Sequence, residues 1–260
     1  MTDHLIDVAR VGAVGIVTLN RPQARNALTG QMMIELFASV QELDHAGDVR
    51  AIILTGADPA FCAGLDLKDL ASTYDDIRLP SESGVAQRGL LPSCATPIIG
   101  AINGPAVTGG LELALGCDWM IASRQHASFA DTHARVGVMP GGGMTIRLPQ
   151  LIGINRARQM SFTGNFISAD LAYEWGLVNE VCDHEHLLPR ALELAAAVVD
   201  GEPAAVREIK SMYDVLGSRT DGEAYVEESR WSRRWMKERF DASAFESRRD
   251  DVIARGSSQR

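Results

Sequence analysis

Short apolar runs alternate with segments of helical spacing along the first half of the chain. Residues 14–20 and 49–57 are mostly apolar runs bounded by turn residues, which predicts two buried strands. Between them, apolar residues recur at helical spacing from Leu28 onward, with Thr29 as the predicted N-cap and Gly47 as the predicted stop. Strands and helices that alternate in this way predict an α/β fold in which helices cover a sheet.

The same alternation continues to residue 131. Residues 97–110 predict a further strand followed by a turn, and residues 111–118 predict a helix. Residues 118–123 and 127–131 predict two more short strands. The helix follows directly on a pair of glycines, so its first N–H groups lie at the end of a turn.

After residue 144 the apolar spacing becomes helical. Ser168 and Gly176 bracket one short segment as its predicted N-cap and C-cap. The last segment mixes basic and acidic residues, which predicts an amphipathic helix that packs on its own core or on a neighbouring subunit. The predicted helices cover residues 154–164, 168–176, 187–203, 203–217 and 223–240.

Composition narrows the possible classes of protein. A chain of 260 residues with 46% hydrophobic residues can bury the core of one large domain, with or without an appendage. The net charge of -9 disfavours a general nucleic-acid or membrane-surface binder. The N-terminus lacks the pattern of a signal peptide, and no stretch reaches the ~18 uncharged apolar residues that span a bilayer. We therefore expect a soluble, cytoplasmic protein that binds neither nucleic acid nor membranes.

The cysteines predict neither a disulfide scaffold nor a zinc or redox site. They are far apart, lie in apolar stretches and lack CxxC spacing; they are Cys62, Cys94, Cys117 and Cys182. We expect buried thiols in a reducing compartment.

Two glycine-containing loops carry the candidate chemistry. Residues 57–70 leave a predicted strand and enter a short helix-like stretch, and residues 103–118 place Gly109 and Gly110 at a helix N-terminus. Backbone N–H groups there have no partner within the helix, and the helix dipole favours negative charge. One N–H group from each loop can therefore hold a thioester enolate or another oxyanion.

Glu112 lies in the first turn of that predicted helix, among apolar neighbours. A carboxylate in such a setting commonly has a partner or a raised pKa, which suits general acid–base catalysis. A glutamate that only complements the helix dipole fits the same position. The residues alone leave both roles open.

Several motifs resemble those of the crotonase (enoyl-CoA hydratase/isomerase) superfamily in order and spacing. They extend from about residue 14 to residue 185 and read RPQARNALT, FCAGLDLKDL, AINGPAVTGGLELALGCD, GVMPGGGMTIRLPQLIG and SADLAYEWGLVNEV. The resemblance implies an α/β fold built as a crotonase-like spiral of ββα units that form two roughly perpendicular sheets, with a C-terminal helical region. It implies residues 1–195 as the core that holds a coenzyme A thioester, and residues 196–260 as a helical region for oligomerisation into a homotrimer or a dimer of trimers.

The resemblance also implies individual site residues. The oxyanion hole falls on the backbone N–H groups of Leu65 and Gly109, and Glu112 matches the first catalytic glutamate of the hydratases. The coenzyme A side is implied to be lined by Arg25, Ala63, Asp66, Leu67, Lys68 and Gly110. Of these, Lys68 and Arg25 are the cations expected near the phosphates. The resemblance implies no metal, and no cofactor apart from the coenzyme A thioester that serves as substrate.

Two positions depart from the family pattern. Thr108 stands where a small residue is usual, and we expect local crowding above the oxyanion hole. His133 lies four residues before Gly137, where the hydratases have their second catalytic glutamate. A neutral imidazole can exchange a proton with water near pH 7, so His133 fits a catalytic or substrate-orienting role. It also fits a hydrogen-bonded wall residue paired with Asp131, and this pair lacks the third ligand of a metal site.

Several activities fit these residues. The first hypothesis is an enoyl-CoA hydratase-like lyase that adds water to a 2-enoyl-CoA. The alternatives are another crotonase reaction (isomerisation, decarboxylation or thioester hydrolysis) and an acyl-CoA-binding or scaffold protein with little turnover. A serine peptidase of related fold lacks support because no G-x-S-x-G stretch is present. Residues 71–93 are predicted to cover the acyl pocket.

Overall fold

The computed structural model describes residues 4–66, 69 and 87–239, together with the separate positions 246, 249, 250, 253, 254 and 257. Strands in this part of the chain are β1 (Ile6–Val11), β2 (Val14–Leu19), β3 (Ala51–Gly56), β4 (Gln87–Arg88), β5 (Leu91–Pro92), β6 (Ile98–Ile102), β7 (Ala106–Val107), β8 (Trp119–Ser123), β9 (Ser128–Ala130), β10 (Ile167–Ser168) and β11 (Glu180–Cys182). Its α-helices are α1 (Gly30–His45), α2 (Gly109–Leu115), α3 (His133–Val136), α4 (Met144–Ile152), α5 (Ile154–Thr163), α6 (Ala169–Trp175), α7 (Leu187–Val199) and α8 (Pro203–Arg239).

Most of these strands form a large and a small sheet. The large sheet has six strands in the order β1-β2-β3-β6-β8-β11; β1 and β2 pair antiparallel, and the remaining neighbours pair parallel. The small sheet has the order β10-β9-β7. Together with the helices that follow β11, this confirms the predicted α/β architecture with two sheets and a C-terminal helical region.

The central strands of the large sheet are buried on both faces. Ile16, Ile53 and Ile99 pack against α7 on one face. The neighbouring residues of the same strands, such as Val17 and Leu54, belong to the main core together with the buried side of α1. This two-sided burial explains why β2 and β3 are continuous apolar runs in the sequence rather than alternating ones.

Local signals place the helix ends well. The Thr29 hydroxyl accepts a hydrogen bond from the Met32 N–H at 3.1 Å, and the Ser168 hydroxyl accepts one from the Leu171 N–H at 3.2 Å. Gly176 ends α6 in the left-handed region at φ 82°. Both predicted N-caps and the predicted C-cap are confirmed, and α1 ends shortly before its predicted stop.

Two elements differ from the sequence prediction. β1 is an edge strand whose side chains are mostly exposed, Val8 by 47% and Val11 by 53%, so no apolar run marks it. α8 is continuous over Pro203–Arg239, where residues 203–217 and 223–240 predict two helices. Two glycines, Gly217 and Gly222, lie inside this helix; each costs only about 1 kcal/mol relative to alanine, and no proline follows Pro203 in this stretch.

The C-terminal helices cross the predicted domain division. α7 spans residue 195, so the boundary between residues 1–195 and 196–260 falls inside a helix that packs on the large sheet. The division stays a prediction. Among the described residues, no helix combines the length and the apolarity that a membrane crossing requires.

Lys210 anchors α8 to the rest of the fold. Its ammonium lies 3.1 Å from Asp118 Oδ1 and 2.9 Å from Asp214 Oδ2, and its side chain is only 8% exposed. The second carboxylate oxygen of Asp118 accepts a hydrogen bond from the Ile98 N–H at 2.7 Å, so the contact reaches β6. A buried cation between two carboxylates is a specific tie between helix and sheet.

We expect Lys210→Met to lower the free energy of unfolding by about 1–3 kcal/mol, because the methionine keeps the apolar stem and removes the ammonium that both carboxylates contact. Urea unfolding measures this change as a shift of the midpoint. Lys237→Met, on an exposed position of the same helix, is the matched control and is expected to stay within about 0.5 kcal/mol of the wild type. An unchanged midpoint for Lys210→Met would contradict the proposed anchor.

Candidate active site

Two buried asparagines shape the loop that follows β3. The Asn26 side chain donates to the carbonyl oxygens of Ala57 and Ala60 at 2.8 and 2.7 Å. Asn103 donates to the Asp58 carboxylate at 2.9 Å. Both amides are 5% exposed or less, and both donate to the carbonyl oxygen of the buried residue Ala60, Asn103 at 3.3 Å. The loop therefore reaches Leu65 along a defined path.

This loop lies in backbone contact with the start of α2. Gly64 adopts φ +101°, and a Cβ built on Gly109 would lie 3.2 Å from the backbone nitrogen of Leu65. A Cβ built on Gly110 would lie 2.0 Å from the carbonyl oxygen of Cys62, so only glycine fits there. Within the described residues, neither the Leu65 nor the Gly109 N–H donates to another protein group. The structure thus brings together the two N–H donors that the sequence predicts as an oxyanion hole.

Thr108 joins the start of α2 to β9, because its N–H donates to the Ala130 carbonyl oxygen at 2.9 Å. Its backbone adopts φ 55° and ψ -114°, which costs a residue other than glycine on the order of 1–3 kcal/mol. Its hydroxyl lies 2.5 Å from the Thr132 hydroxyl and accepts the Thr132 N–H at 3.2 Å. The sequence predicts only local crowding at Thr108, whereas the structure adds a hydrogen-bonded link to the opposite wall of the site.

The Glu112 side chain is held by a segment that lies outside its own helix. Its side chain is buried, and Oε1 accepts the N–H groups of Gly142 and Met144 at 2.8 and 3.3 Å, at the start of α4. A Cβ built on Gly142 would lie 3.0 Å from Glu112 Oε2 and 2.7 Å from the Leu90 side chain, so this glycine leaves room for the carboxylate. Glu112 therefore does more than complement the dipole of α2.

His133 lies between two carboxylates. It begins α3 and is 6% exposed. Its Nδ1 lies 2.6 Å from Asp131 Oδ1, and its Nε2 lies 3.8 Å from Glu112 Oε2. The predicted pairing of His133 with Asp131 is thus present, and the other ring nitrogen faces Glu112; a catalytic role of His133 stays a prediction.

Asp131 is ionised in this arrangement. Burial by itself would raise the pKa of Asp131, since only 1% of the residue is exposed. The hydrogen bond and positive charge of His133, together with a hydrogen bond from Ser161, outweigh burial and hold the pKa of Asp131 below its ordinary value. A buried carboxylate thus stays charged beside the imidazole.

The residues predicted for the coenzyme A side lie around the same loop. Ala63 is exposed, and its N–H donates to the carbonyl oxygen of Arg25 at 3.0 Å; the Arg25 side chain is exposed as well. Asp66 forms an ion pair with Arg21 at 2.8 Å, which the sequence does not predict. Leu67 and Lys68 lie outside the described residues, as does the part of the predicted acyl-pocket cover that spans residues 71–86.

The cysteines lie apart from any reactive arrangement. All four are free, three are buried, and Cys182 is half-buried. Cys62 lies in the loop that leads from β3 to Leu65. Burial raises the pKa of Cys62 to about 12, so this thiol stays protonated at neutral pH. The described residues contain no group of three or more His, Cys, Asp or Glu side chains with the arrangement of a metal site.

Sequence reasoning missed the groups that hold Glu112. The N–H donors of Gly142 and Met144 are backbone groups, and backbone donors leave no residue-type signal. The glycine run at residues 141–143 was the available signal, because it marks positions of unusual backbone angle or close approach. Gly143 indeed has φ 106°, and Gly142 is packed between Leu90 and Glu112.

Comparison with known proteins agrees with this geometry. The family model for enoyl-CoA hydratase/isomerase matches residues 10–243. The probable enoyl-CoA hydratase 1, peroxisomal, of Arabidopsis thaliana is 40% identical over 214 residues, which cover 82% of this chain and 79% of that protein. A probable mitochondrial enoyl-CoA hydratase of Dictyostelium discoideum is 38% identical over 72% of this chain and 67% of its own length.

Solved structures show the same similarity in three dimensions. The enoyl-CoA hydratase of Mycobacterium smegmatis superposes with a TM-score of 0.81 at 43% identity, covering 90% of this chain and 99% of that one. A carnitinyl-CoA dehydratase of Mycobacterium avium 104 superposes with a TM-score of 0.82 at 30% identity, covering 93% and 94% of the two chains. The family model, the relatives and the solved structures thus agree, and the chain belongs to the enoyl-CoA hydratase/isomerase family.

Proposed function

We propose that this protein hydrates the carbon–carbon double bond of a 2-enoyl-CoA thioester, with Glu112 and His133 acting together on one water molecule. The observation that carries the proposal is the pair of facing atoms, His133 Nε2 and Glu112 Oε2, at 3.8 Å. This pair is linked through Thr132 and Thr108 to the start of α2, where the Gly109 N–H lies close to the Leu65 N–H of the facing loop.

The two backbone donors supply the electrostatic part of the reaction. The thioester carbonyl accepts the N–H groups of Leu65 and Gly109, and this polarisation withdraws electrons from C3 of the enoyl group. As hydroxide adds to C3, negative charge moves onto the carbonyl oxygen and an enolate forms. Preorganised donors stabilise the enolate oxygen more than they stabilise the carbonyl oxygen of the ground state. Each such donor contributes about 10²–10³-fold to turnover.

Glu112 and His133 supply the proton transfers. Their separation of 3.8 Å is too long for a direct hydrogen bond but lets both atoms bond to one water oxygen between them. One of the two groups takes a proton from the water as its oxygen attacks C3, and a proton is delivered to C2 as the enolate collapses. The net change is addition of H and OH across the double bond. Imidazole, with an ordinary pKa of about 6.5, suits this exchange at neutral pH.

The remaining parts of the proposal concern substrate and assembly. Membership of the family implies an acyl-CoA substrate, and we place its phosphates near Arg25 and Lys68. We also propose assembly into a homotrimer or a dimer of trimers and a cytoplasmic location. Two relatives carry peroxisomal and mitochondrial names. The location of this chain is therefore to be measured directly.

Purified protein is expected to convert 2-enoyl-CoAs to 3-hydroxyacyl-CoAs, and a series of chain lengths with product analysis by mass spectrometry tests this. His133→Ala is expected to lower kcat by roughly 10²–10⁴-fold with little change in coenzyme A affinity, because it removes a proton-transfer group and no N–H donor of the oxyanion hole. His126→Ala, at an exposed position, is the matched control and is expected to keep wild-type kcat.

Other outcomes of the same assay identify the alternatives. Movement of the double bond without addition of water points to an isomerase, and release of free coenzyme A points to a thioesterase. Protein that binds acyl-CoA but neither hydrates enoyl-CoA nor exchanges α-protons in deuterated water is a binding protein. Any of these results overturns hydration as the proposed function.

A further inference from the structure

Asp131 is a carboxylate buried beside the proposed proton-transfer pair. Only 1% of the residue is exposed. Its Oδ1 atom lies 2.6 Å from His133 Nδ1 and also accepts the backbone N–H of His133 at 3.2 Å. Asp131 thus contacts both the backbone and the ring of His133.

We propose that Asp131 is a positioning residue that keeps the ring proton of His133 on Nδ1, so that Nε2 faces Glu112 as a proton acceptor. This inference rests on hydration as the proposed function and extends it to a residue that does not touch the substrate. The role follows from the arrangement Asp131–His133–Glu112, in which each carboxylate lies at a different ring nitrogen.

The chemistry of imidazole makes this choice necessary. A neutral ring carries one proton, and its two nitrogens exchange the roles of donor and acceptor with the tautomer. Asp131 Oδ1 accepts the backbone N–H of His133 and thus acts as an acceptor oxygen, so the contact of 2.6 Å with the ring points to a proton on Nδ1. Nε2 is then the atom with the lone pair. In the other tautomer Nε2 would carry a proton and could not take one from water.

The same contact stabilises the protonated ring during turnover. When Nε2 receives a proton from water, the imidazolium lies between the carboxylates of Asp131 and Glu112. Asp131 does not need to accept that proton itself, because its pKa stays below the ordinary value. Asp131 also fixes the orientation of the His133 ring, because its Oδ1 atom contacts both the backbone N–H and the ring Nδ1 of His133.

A carboxylate in place of His133 would reverse the effect of Asp131. Glutamate has no tautomer to select, so it would gain nothing from a neighbouring anion. Two carboxylates in one buried site repel each other and disfavour the ionised form of one of them. The sign of the Asp131 contribution therefore depends on the residue at position 133, which a purely structural role of Asp131 does not predict.

Four proteins test this dependence: the wild type, Asp131→Asn, His133→Glu and the double variant. In the wild-type background Asp131→Asn is expected to lower kcat by roughly 10²–10³-fold while KM changes little. In the His133→Glu background the same substitution is expected to leave kcat unchanged or to raise it. An equal loss in both backgrounds overturns the proposal, because it would reflect a structural role alone.

Asp44→Asn is the matched control. The Asp44 carboxylate is also largely buried, and Oδ1 accepts the Thr96 N–H and hydroxyl at 2.8 and 2.7 Å, away from the site. Its replacement is expected to lower the melting temperature and to leave kcat as in the wild type. A loss of kcat as large as that of Asp131→Asn would count against a role specific to Asp131.

A second measurement does not depend on turnover or on the folding of His133→Glu. In protein labelled with ¹⁵N-histidine, the nitrogen shifts of His133, assigned by their loss in His133→Ala, report which nitrogen carries the proton. We expect the Nδ1–H form in the neutral wild-type ring and a shift toward the Nε2–H form in Asp131→Asn. An Nε2–H ring in the wild type overturns the proposal. Wild-type protein without hydratase activity instead overturns the proposed function, and the tautomer measurement still decides whether Asp131 sets the proton on His133.

Discussion

Glu112→Gln is expected to lower kcat for hydration by roughly 10³-fold or more. Glutamine keeps an oxygen that can accept the Gly142 and Met144 N–H groups, so the start of α4 retains its hydrogen bonds. The atom that faces His133 becomes an amide nitrogen, which cannot accept a proton and carries no negative charge. The loss therefore falls on the chemical step, and initial-rate kinetics should show it in kcat with little change in coenzyme A affinity.

Glu180→Gln is the control for this substitution. Glu180 pairs with Arg190 at 2.7 Å on the partly exposed surface, so its replacement removes a carboxylate far from the site. We expect wild-type kcat for Glu180→Gln and a melting temperature near that of the wild type for both variants. Turnover of Glu112→Gln within a few-fold of the wild type would exclude Glu112 from the proton transfers.

Gly110→Ala has the largest expected effect on the fold of the site. The added Cβ would lie 2.0 Å from the carbonyl oxygen of Cys62 and 2.9 Å from its Cβ, and backbone cannot move aside as a flexible side chain can. Either α2 or the loop that leads from β3 to Leu65 must shift, and this shift separates the N–H groups of Leu65 and Gly109. We expect the free energy of unfolding to fall by about 3 kcal/mol or more, and turnover to fall at least about 10²-fold through the loss of one donor.

Gly47→Ala separates this clash from a general effect of replacing glycine. Gly47 follows α1, and a Cβ built there meets no atom within 4 Å. Its replacement is expected to leave the urea midpoint and kcat near the wild type. Gly110→Ala with wild-type stability and kcat would show that the contact between loop and helix is not needed for the oxyanion hole.

Much of the fold is predictable because its signals are local. Buried parallel strands such as β2 and β3 are continuous apolar runs, and the hydroxyls of Thr29 and Ser168 mark helix starts within a few residues. Elements with weak local signals are missed or divided. β1 exposes most of its side chains at a sheet edge, and α8 continues through a glycine that its sequence marks as a break.

The candidate site, like the fold, is only partly predictable from the sequence. The resemblance to a known family places Leu65, Gly109 and Glu112, and it singles out His133 because an imidazole stands where a carboxylate is expected. The roles of these residues stay proposals. Leu67 and Lys68 lie outside the described residues, and their predicted contacts with coenzyme A stay predictions as well.

The amino-acid sequence by itself determines the α/β class, the family, the glycines that permit close backbone approach and the types of residue at the site. Only the tertiary structure decides that one ring nitrogen of His133 meets Asp131 while the other faces Glu112, and that Glu112 is held by backbone donors from α4. The physical reason is that these contacts join separate segments of the chain. Distances and ring orientation between such segments are set by how α2, α3 and α4 pack, whereas caps, strands and close-approach glycines are set by neighbours in sequence.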